Sequence, residues 1–214
     1  MARRLVGLST LAVDGLPSAC AGCQYWESKR RLERTCGARC DVEAARGWLS
    51  RVTAEWGECG RAAVDDGATL GFMKYAPPEH FPQALHLPSG APLPGVPMIA
   101  CIHIEPDARG RGLGGVLMKS VLRDLVQRGE RTVQVYADAS GDRRADNPLI
   151  GMDYLLRHGF VVERAHPQVP LLKLELKALV SWTDNLEAVL DSLRLPLRVP
   201  GRAPATLATP KGDA

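Results

Sequence analysis

The sequence predicts an α/β fold, a mixed central sheet with helices packed on its faces, and three observations predict it. Residues 98–104 (M-I-A-C-I-H-I) are almost wholly apolar and rich in β-branched residues, as a strand covered on both faces requires. A glycine-rich run, R-G-R-G-L-G-G at 109–115, follows after a short polar step. From there Leu113, Leu117, Val121 and Leu125 recur every four residues, and Val116, Leu122 and Val126 widen the stripe. Lys119, Ser120, Arg123, Asp124, Gln127 and Arg128 fall opposite, the pattern of a surface helix.

The other elements follow in chain order. Residues 1–40 read as irregular and hold four of the six cysteines. A helix is expected at 41–56, capped by Asp41, with Val42, Ala45, Leu49, Val52 and Trp56 spaced by three and four. Cys59–Val64 and Thr69–Tyr75 read as a hairpin around Asp65-Asp66-Gly67. Residues 76–97 carry seven prolines and no period, which suggests a functional loop. Thr132–Ala137 alternates and reads as a strand parallel to 98–104. A second helix is expected at 148–158 and a last strand around Leu172, Leu174 and Leu176. Ser181 and Asp184 resemble a capping box before a helix with Leu186, Val189, Leu190 and Leu193. From Pro196 the composition is that of a flexible tail. The predicted organisation is thus a cysteine-containing segment (1–40), a main domain with its C-terminal helix (41–195) and a tail (196–214).

Composition narrows the function classes. The 214 residues suffice for one domain with a substantial core. A net charge of +3 suits an acidic ligand, but no dense Lys/Arg face marks a nucleic-acid binder. No signal peptide and no stretch of transmembrane length is read, so the expectation is a cytoplasmic protein with mostly reduced cysteines and no membrane partner. A homodimer is compatible with the sequence.

A glycine turn entering a helix exposes unpaired N–H groups at the positive end of the helix dipole, a ready site for a pyrophosphate. A Walker A loop is excluded, because no Gly-Lys-Ser/Thr ends the run. Gly110, Gly112 and Gly115 satisfy the dinucleotide spacing, and Asp138 stands where a ribose-binding acid would. In that fold, however, the glycines follow the strand directly, whereas Glu105-Pro-Asp-Ala-Arg109 intervenes here. The third reading is Arg-x-x-Gly-x-Gly, at Arg109, Gly112 and Gly114. With its strand, acidic spacer and helix, this segment resembles the coenzyme A loop of the GNAT superfamily of N-acetyltransferases. The order of elements is also that of the GNAT fold over roughly residues 41–177. Three further patterns resemble an actinobacterial branch of that superfamily. They are C-x-x-C-x-x-W at Cys20, Cys23 and Trp26, E-W-G-x-C-G at 55–60, and G-F-M-K-Y-A-P-P at 71–78.

The resemblance implies a sheet whose fourth and fifth strands splay apart, and acetyl transfer from acetyl-CoA to an amine. It assigns the cofactor to Arg109, Gly110, Arg111, Gly112, Leu113, Gly114 and Gly115, and its arm to the backbone of Ile102, His103 and Ile104. Family members often carry a Tyr-x-x-x-Gly-Phe acid. Here Gly159-Phe160 is present, Leu155 holds the matching position, and Tyr154 lies one residue earlier. Tyr154 is therefore either the acid that protonates the thiolate or a half-buried packing residue. His103 shares a strand face with Cys101 and Glu105 and is either a base or a core histidine. His158, His80 and His86 are weaker candidates. Cys20, Cys23, Cys36 and Cys40 have spacings compatible with zinc, but the run between the two pairs reads as helical and no metal is assigned. The rival functions are a non-catalytic acyl-CoA-binding module and a zinc-stabilised interaction protein.

Overall fold

A computed structural model describes residues 4–11, 13–37, 39–141 and 146–176. The helix expected after Ser181 and the tail from Pro196 lie outside the described residues. The strands are β1 (Arg4–Gly7), β2 (Gly60–Asp65), β3 (Ala68–Ala76), β4 (Met98–Ile104), β5 (Thr132–Asp138), β6 (Ile150–Gly151), β7 (Val161–Arg164) and β8 (Leu171–Glu175). The helices are α1 (Ser18–Ala21), α2 (Val42–Trp56), α3 (Leu113–Gln127) and α4 (Met152–Arg157). The strands form one mixed sheet in the order β1-β2-β3-β4-β5-β8-β7, with β6 beside β5. Among the described strands, β4–β5 and β5–β6 pair in parallel and the others antiparallel.

The elements form where local chemistry asks for them. Asp41 caps α2 by accepting from Ala44 N at 2.9 Å. The β2–β3 hairpin closes on Asp66 (φ 48°) and Gly67 (φ 84°), the two left-handed residues of a type I′ turn. Helix α3 buries Leu117, Val121 and Leu125 on one face of the sheet, against Met73, Ile99, Val133 and Val135. The other face carries Met98, Ala100 and Tyr136 and is covered by α2, the aromatic run at Tyr25-Trp26, and Phe81.

Several expectations are corrected. The segment read as irregular supplies the edge strand β1 and the single turn α1, and the run between the cysteine pairs is not helical. Helix α4 is only Met152–Arg157, shorter than the expected 148–158, and β7 was not anticipated. The proline-rich stretch, expected to have no regular structure, contains two 3₁₀ turns (Pro78–His80 and Pro82–His86) and packs down on the sheet. Phe81 and Ala84 are wholly buried, and Gln134 reaches up from β5 to bond Leu93 N (2.8 Å), Leu93 O (3.0 Å) and Val96 O (2.6 Å). The Tyr136 hydroxyl donates to Gly90 O at 2.7 Å.

Asp124 and Arg128, expected on the solvent face of α3, are not free there. The Asp124 carboxylate accepts two bonds from the Arg61 guanidinium and one from the Tyr75 hydroxyl (2.8 Å), and only 7% of the residue is exposed. Arg128 donates to Trp56 O (2.7 Å) and Glu58 O (2.6 Å) and lies over the Trp56 ring. The cause is that β2, β3 and the end of α2 close over that side of the helix. Asp124→Asn keeps the volume but removes the charge from all three bonds and turns one acceptor into a donor facing donors. It is expected to lower stability by about 2 kcal/mol, and so the melting temperature by roughly 4–8 °C. Urea denaturation reads this directly. A change below about 0.5 kcal/mol would mean that desolvation already cancels the pair's attraction.

One irregularity positions everything that follows. Lys74 pairs with Cys101, but Tyr75 pairs with Ile99, so Ala100 is an extra residue in β4. This β-bulge leaves both Ala100 and Cys101 on the α2 side of the sheet. Pairing with β5 stops just before it, at Ile99↔Val135. From Cys101 to Ile104, β4 keeps its β3 neighbours while its other edge has no strand partner among the described residues. The result is a gap between the fourth and fifth strands. The apolar run 98–104 is accordingly covered on both faces only at Met98–Ala100, and Cys101–Ile104 are half-buried.

Candidate active site

The glycine run lies at the end of that gap. After β4, a single 3₁₀ turn (Pro106–Ala108) reverses the chain, and Arg109 Nε donates back to Ile104 O at 3.0 Å. Gly110 (φ 72°) and Gly112 (φ 77°) are left-handed, and Gly112 is the N-cap of α3 with no side chain capping the helix. The first amides of α3, from Leu113 through Gly115, therefore point out of the helix end without intrahelical partners. Space in front of them is open: a Cβ on Gly110 or Gly112 would meet nothing within 4 Å. Arg109 and Arg111 are exposed beside it. Uncapped amides, the helix dipole and two guanidinium groups are the features that favour a phosphate-bearing ligand.

Gly114 is needed for a different reason. A Cβ there would lie 3.3 Å from Ile104 Cδ1 and 3.4 Å from the Tyr154 hydroxyl. That hydroxyl donates to Gly114 O at 2.7 Å, so Tyr154 reaches the loop from α4. Burial pushes its phenol well above the ordinary range, so it stays protonated. Leu155 is wholly buried in the α3-side core. A tyrosine at 155 would overfill that core and bury a hydroxyl there. His158 sits beside Tyr154, with ring centroids 4.3 Å apart and its Nδ1 2.8 Å from Tyr154 O.

The backbone of β4 divides by alternation. The His103 carbonyl points at β3, since a Cβ on Gly71 would come within 2.6 Å of it. The backbone groups of Ile102 and Ile104 therefore face the gap, and Ile104 O is already held by Arg109. This narrows the expectation that all three residues offer backbone to the gap. The side chains of Ile102 and Ile104 pack against the α3-side core.

On the opposite face, Cys101 and His103 line a cavity of ≈ 70 Å³ between β3, β4, α2 and the N-terminal segment. His103 stacks on Phe72, and its Nε2 is buried and unbonded, 3.4 Å from Glu105 Oε1 without hydrogen-bond geometry. The shared face of Cys101, His103 and Glu105 is as the alternation predicts. His80 and His86 do not line the cavity: His80 lies 3.9 Å from Glu55, and His86 Nε2 contacts Lys29 O. Cys20, Cys23 and Cys36 do line it. A hydrogen bond from Cys36 holds the Cys23 thiol down to about 6 and pushes Cys36 up. Among the described residues no group of three His, Cys, Asp or Glu side chains is arranged to hold a metal.

Sequence reasoning missed the ion pair at the cavity's floor. Lys74 bonds Glu27, with side-chain exposures of 14% and 5%, and lies 5.0 Å from the centre of the Trp48 ring. A lysine inside the apolar strand G-F-M-K-Y-A was the available signal, since a buried lysine demands an anion.

With this geometry in place, comparison gives the class. The Acetyltransferase (GNAT) family matches residues 25–148, more than half of the 214-residue chain. The protein belongs to that family. Its fold is similar to that of an N-acetyltransferase from Staphylococcus aureus Mu50, with TM-score 0.55 and 13% identity over 82% of this chain and 99% of the other. It is also similar to a protein from Acinetobacter baylyi ADP1 that has been assigned to the acetyltransferases, with TM-score 0.51 and 15% identity over 81% and 91%. A Desulfovibrio desulfuricans protein assigned to the GNAT family gives TM-score 0.50 and 16% identity over 82% and 99%. Among curated protein sequences none matches this chain significantly. No helix among the described residues is long and apolar enough to cross a membrane.

Proposed function

We propose that this protein is an acetyl-CoA-dependent N-acetyltransferase of the cytoplasm, of the actinobacterial branch its motifs resemble, acting on an amine of a small molecule or a protein. The observation that carries the reading is the uncapped, left-handed glycine entry to α3 at the end of the β4–β5 gap. Open space at Gly110 and Gly112, with Arg109 and Arg111 beside it, fits a pyrophosphate. Ile102 offers backbone groups to an extended arm lying in the gap. Bound acetyl-CoA supplies a thioester: its C–S bond breaks as the amine's C–N bond forms, and R–NH₃⁺ becomes the acetamide plus free thiol and one proton. His103, with Nε2 unbonded, is suited to take the proton the ammonium must lose. Tyr154, kept protonated by burial, is suited to give one to the departing sulfur.

A second reading, a non-catalytic acyl-CoA-binding module, draws on Leu155 at the family's acid position and on the bond that occupies the Tyr154 hydroxyl. Two measurements separate them. At about 100 times the dissociation constant, coenzyme A is expected to stabilise the fold by about 2.7 kcal/mol, or roughly 5–10 °C. Acetyl-CoA with a panel of amines should then release thiol. Stabilisation without thiol release from any amine would favour the binding module, and no stabilisation would defeat both readings.

A further inference from the structure

Four residues that line the cavity beside β4 carry a buried polar atom with no hydrogen-bond partner among the described residues: the acceptors Glu27 Oε2 and His103 Nε2, and the Tyr25 hydroxyl and Trp26 Nε1, which carry donors. Glu27 Oε1 is taken by Lys74, but Glu27 Oε2 has no partner, and the side chain is only 5% exposed. His103 Nε2 is the other acceptor among the four, and both residues line the same cavity. An unsatisfied buried carboxylate oxygen is costly, and what it lacks is a donor. A neutral imidazole nitrogen can accept as well. An ammonium group brings three donors and a positive charge. The charges already present allow it: Lys74 offsets Glu27, and the Cys23 thiol, held down by its bond from Cys36, lines the same cavity. Much of the remaining wall is apolar, built from Leu8, Leu11, Leu16, Trp48, Leu49 and Phe72, with Asn147, Tyr25, Cys20 and Cys36 beside them. At ≈ 70 Å³ the cavity is small, room for several waters at roughly 10–15 Å³ each.

We infer that this cavity is the amine subsite of the proposed transferase, that its substrates are the smallest primary amines, on a body of about three carbons, and that Glu27 Oε2 positions their ammonium group. The inference rests on the acetyltransferase reading for turnover but not for binding. His103 stands on β4, one residue from the gap-facing backbone of Ile102, so an amine held here lies close to the gap. A peptide's N-terminus would have to thread its first residue into the same small space, which favours free amines.

The probe is n-propylamine, with propan-1-ol as its neutral counterpart. Propylamine is expected to bind the protein without coenzyme A and perturb tryptophan fluorescence, since Trp48 lines the cavity, and propanol is expected to bind at least about tenfold more weakly. In turnover, Glu27→Gln should raise the propylamine KM at least about tenfold while coenzyme A stabilisation stays unchanged. Because that change leaves Lys74 without its anion, two further variants guard the result. Glu27→Gln with Lys74→Met removes both charges, and Ala45→Phe fills the cavity from α2 with the ion pair intact; both should lose propylamine binding. Equal binding of propanol and propylamine, or an unchanged propylamine KM in Ala45→Phe, would overturn the assignment. Propylamine binding in a protein that coenzyme A does not stabilise would support the cation site and remove the transferase.

Discussion

Gly112→Asp is expected to abolish stabilisation by coenzyme A and leave the fold in place. Position 112 has φ 77°, open space around it, and no role in the core. Aspartate tolerates the left-handed region better than most residues, so the backbone penalty is modest. As an N-cap it would even bond the free amides of α3. That is the reason for the loss: the carboxylate would occupy the donors and set a negative charge where a pyrophosphate must sit. At 4 Å such a repulsion is about 4 kcal/mol for an effective dielectric near 20. Affinity should fall by about a hundredfold or more, even after screening. Titration calorimetry and thermal shift with coenzyme A read the effect, with NAD as the control that should give no shift in either protein. A shift with NAD and none with coenzyme A would return the loop to the dinucleotide reading.

Tyr154→Phe is expected to lower the maximal rate by about a hundredfold, the usual size of general-acid help. The ring and its packing against His158 are retained, and only the hydroxyl is lost. Its bond to Gly114 O is neutral, worth about 1 kcal/mol, so coenzyme A affinity should change little. A normal rate with weakened coenzyme A binding would instead make the hydroxyl a clamp on the loop. A normal rate and normal binding would leave it as packing.

The sequence carried the loop because glycines and helix periodicity are local signals. Gly110, Gly112 and the stripe from Leu113 to Leu125 need no tertiary information, and the helix, Leu113–Gln127, covers that stripe. The I′ turn at Asp66-Gly67 was legible for the same reason. What could not be read depends on distant segments meeting. Asp124 belongs to a polar helix face until Arg61 and Tyr75 arrive from β2 and β3. Glu27 is an ordinary surface residue until Lys74 faces it from a strand 47 positions away. The proline stretch has no period because its order comes from Gln134 and Tyr136 beneath it. The bulge at Ala100 leaves no mark in an apolar run.

That extra residue sets the phase of the strand. In an unbroken β4, alternation from Met98 would point Ile102 and Ile104 toward α2 and turn His103 into the packing of α3. One inserted alanine swaps inside for outside over the last four residues. The same insertion coincides with the loss of the β5 ladder. The gap between the strands and the residues that face it thus arise at one point, where a single amino acid is added.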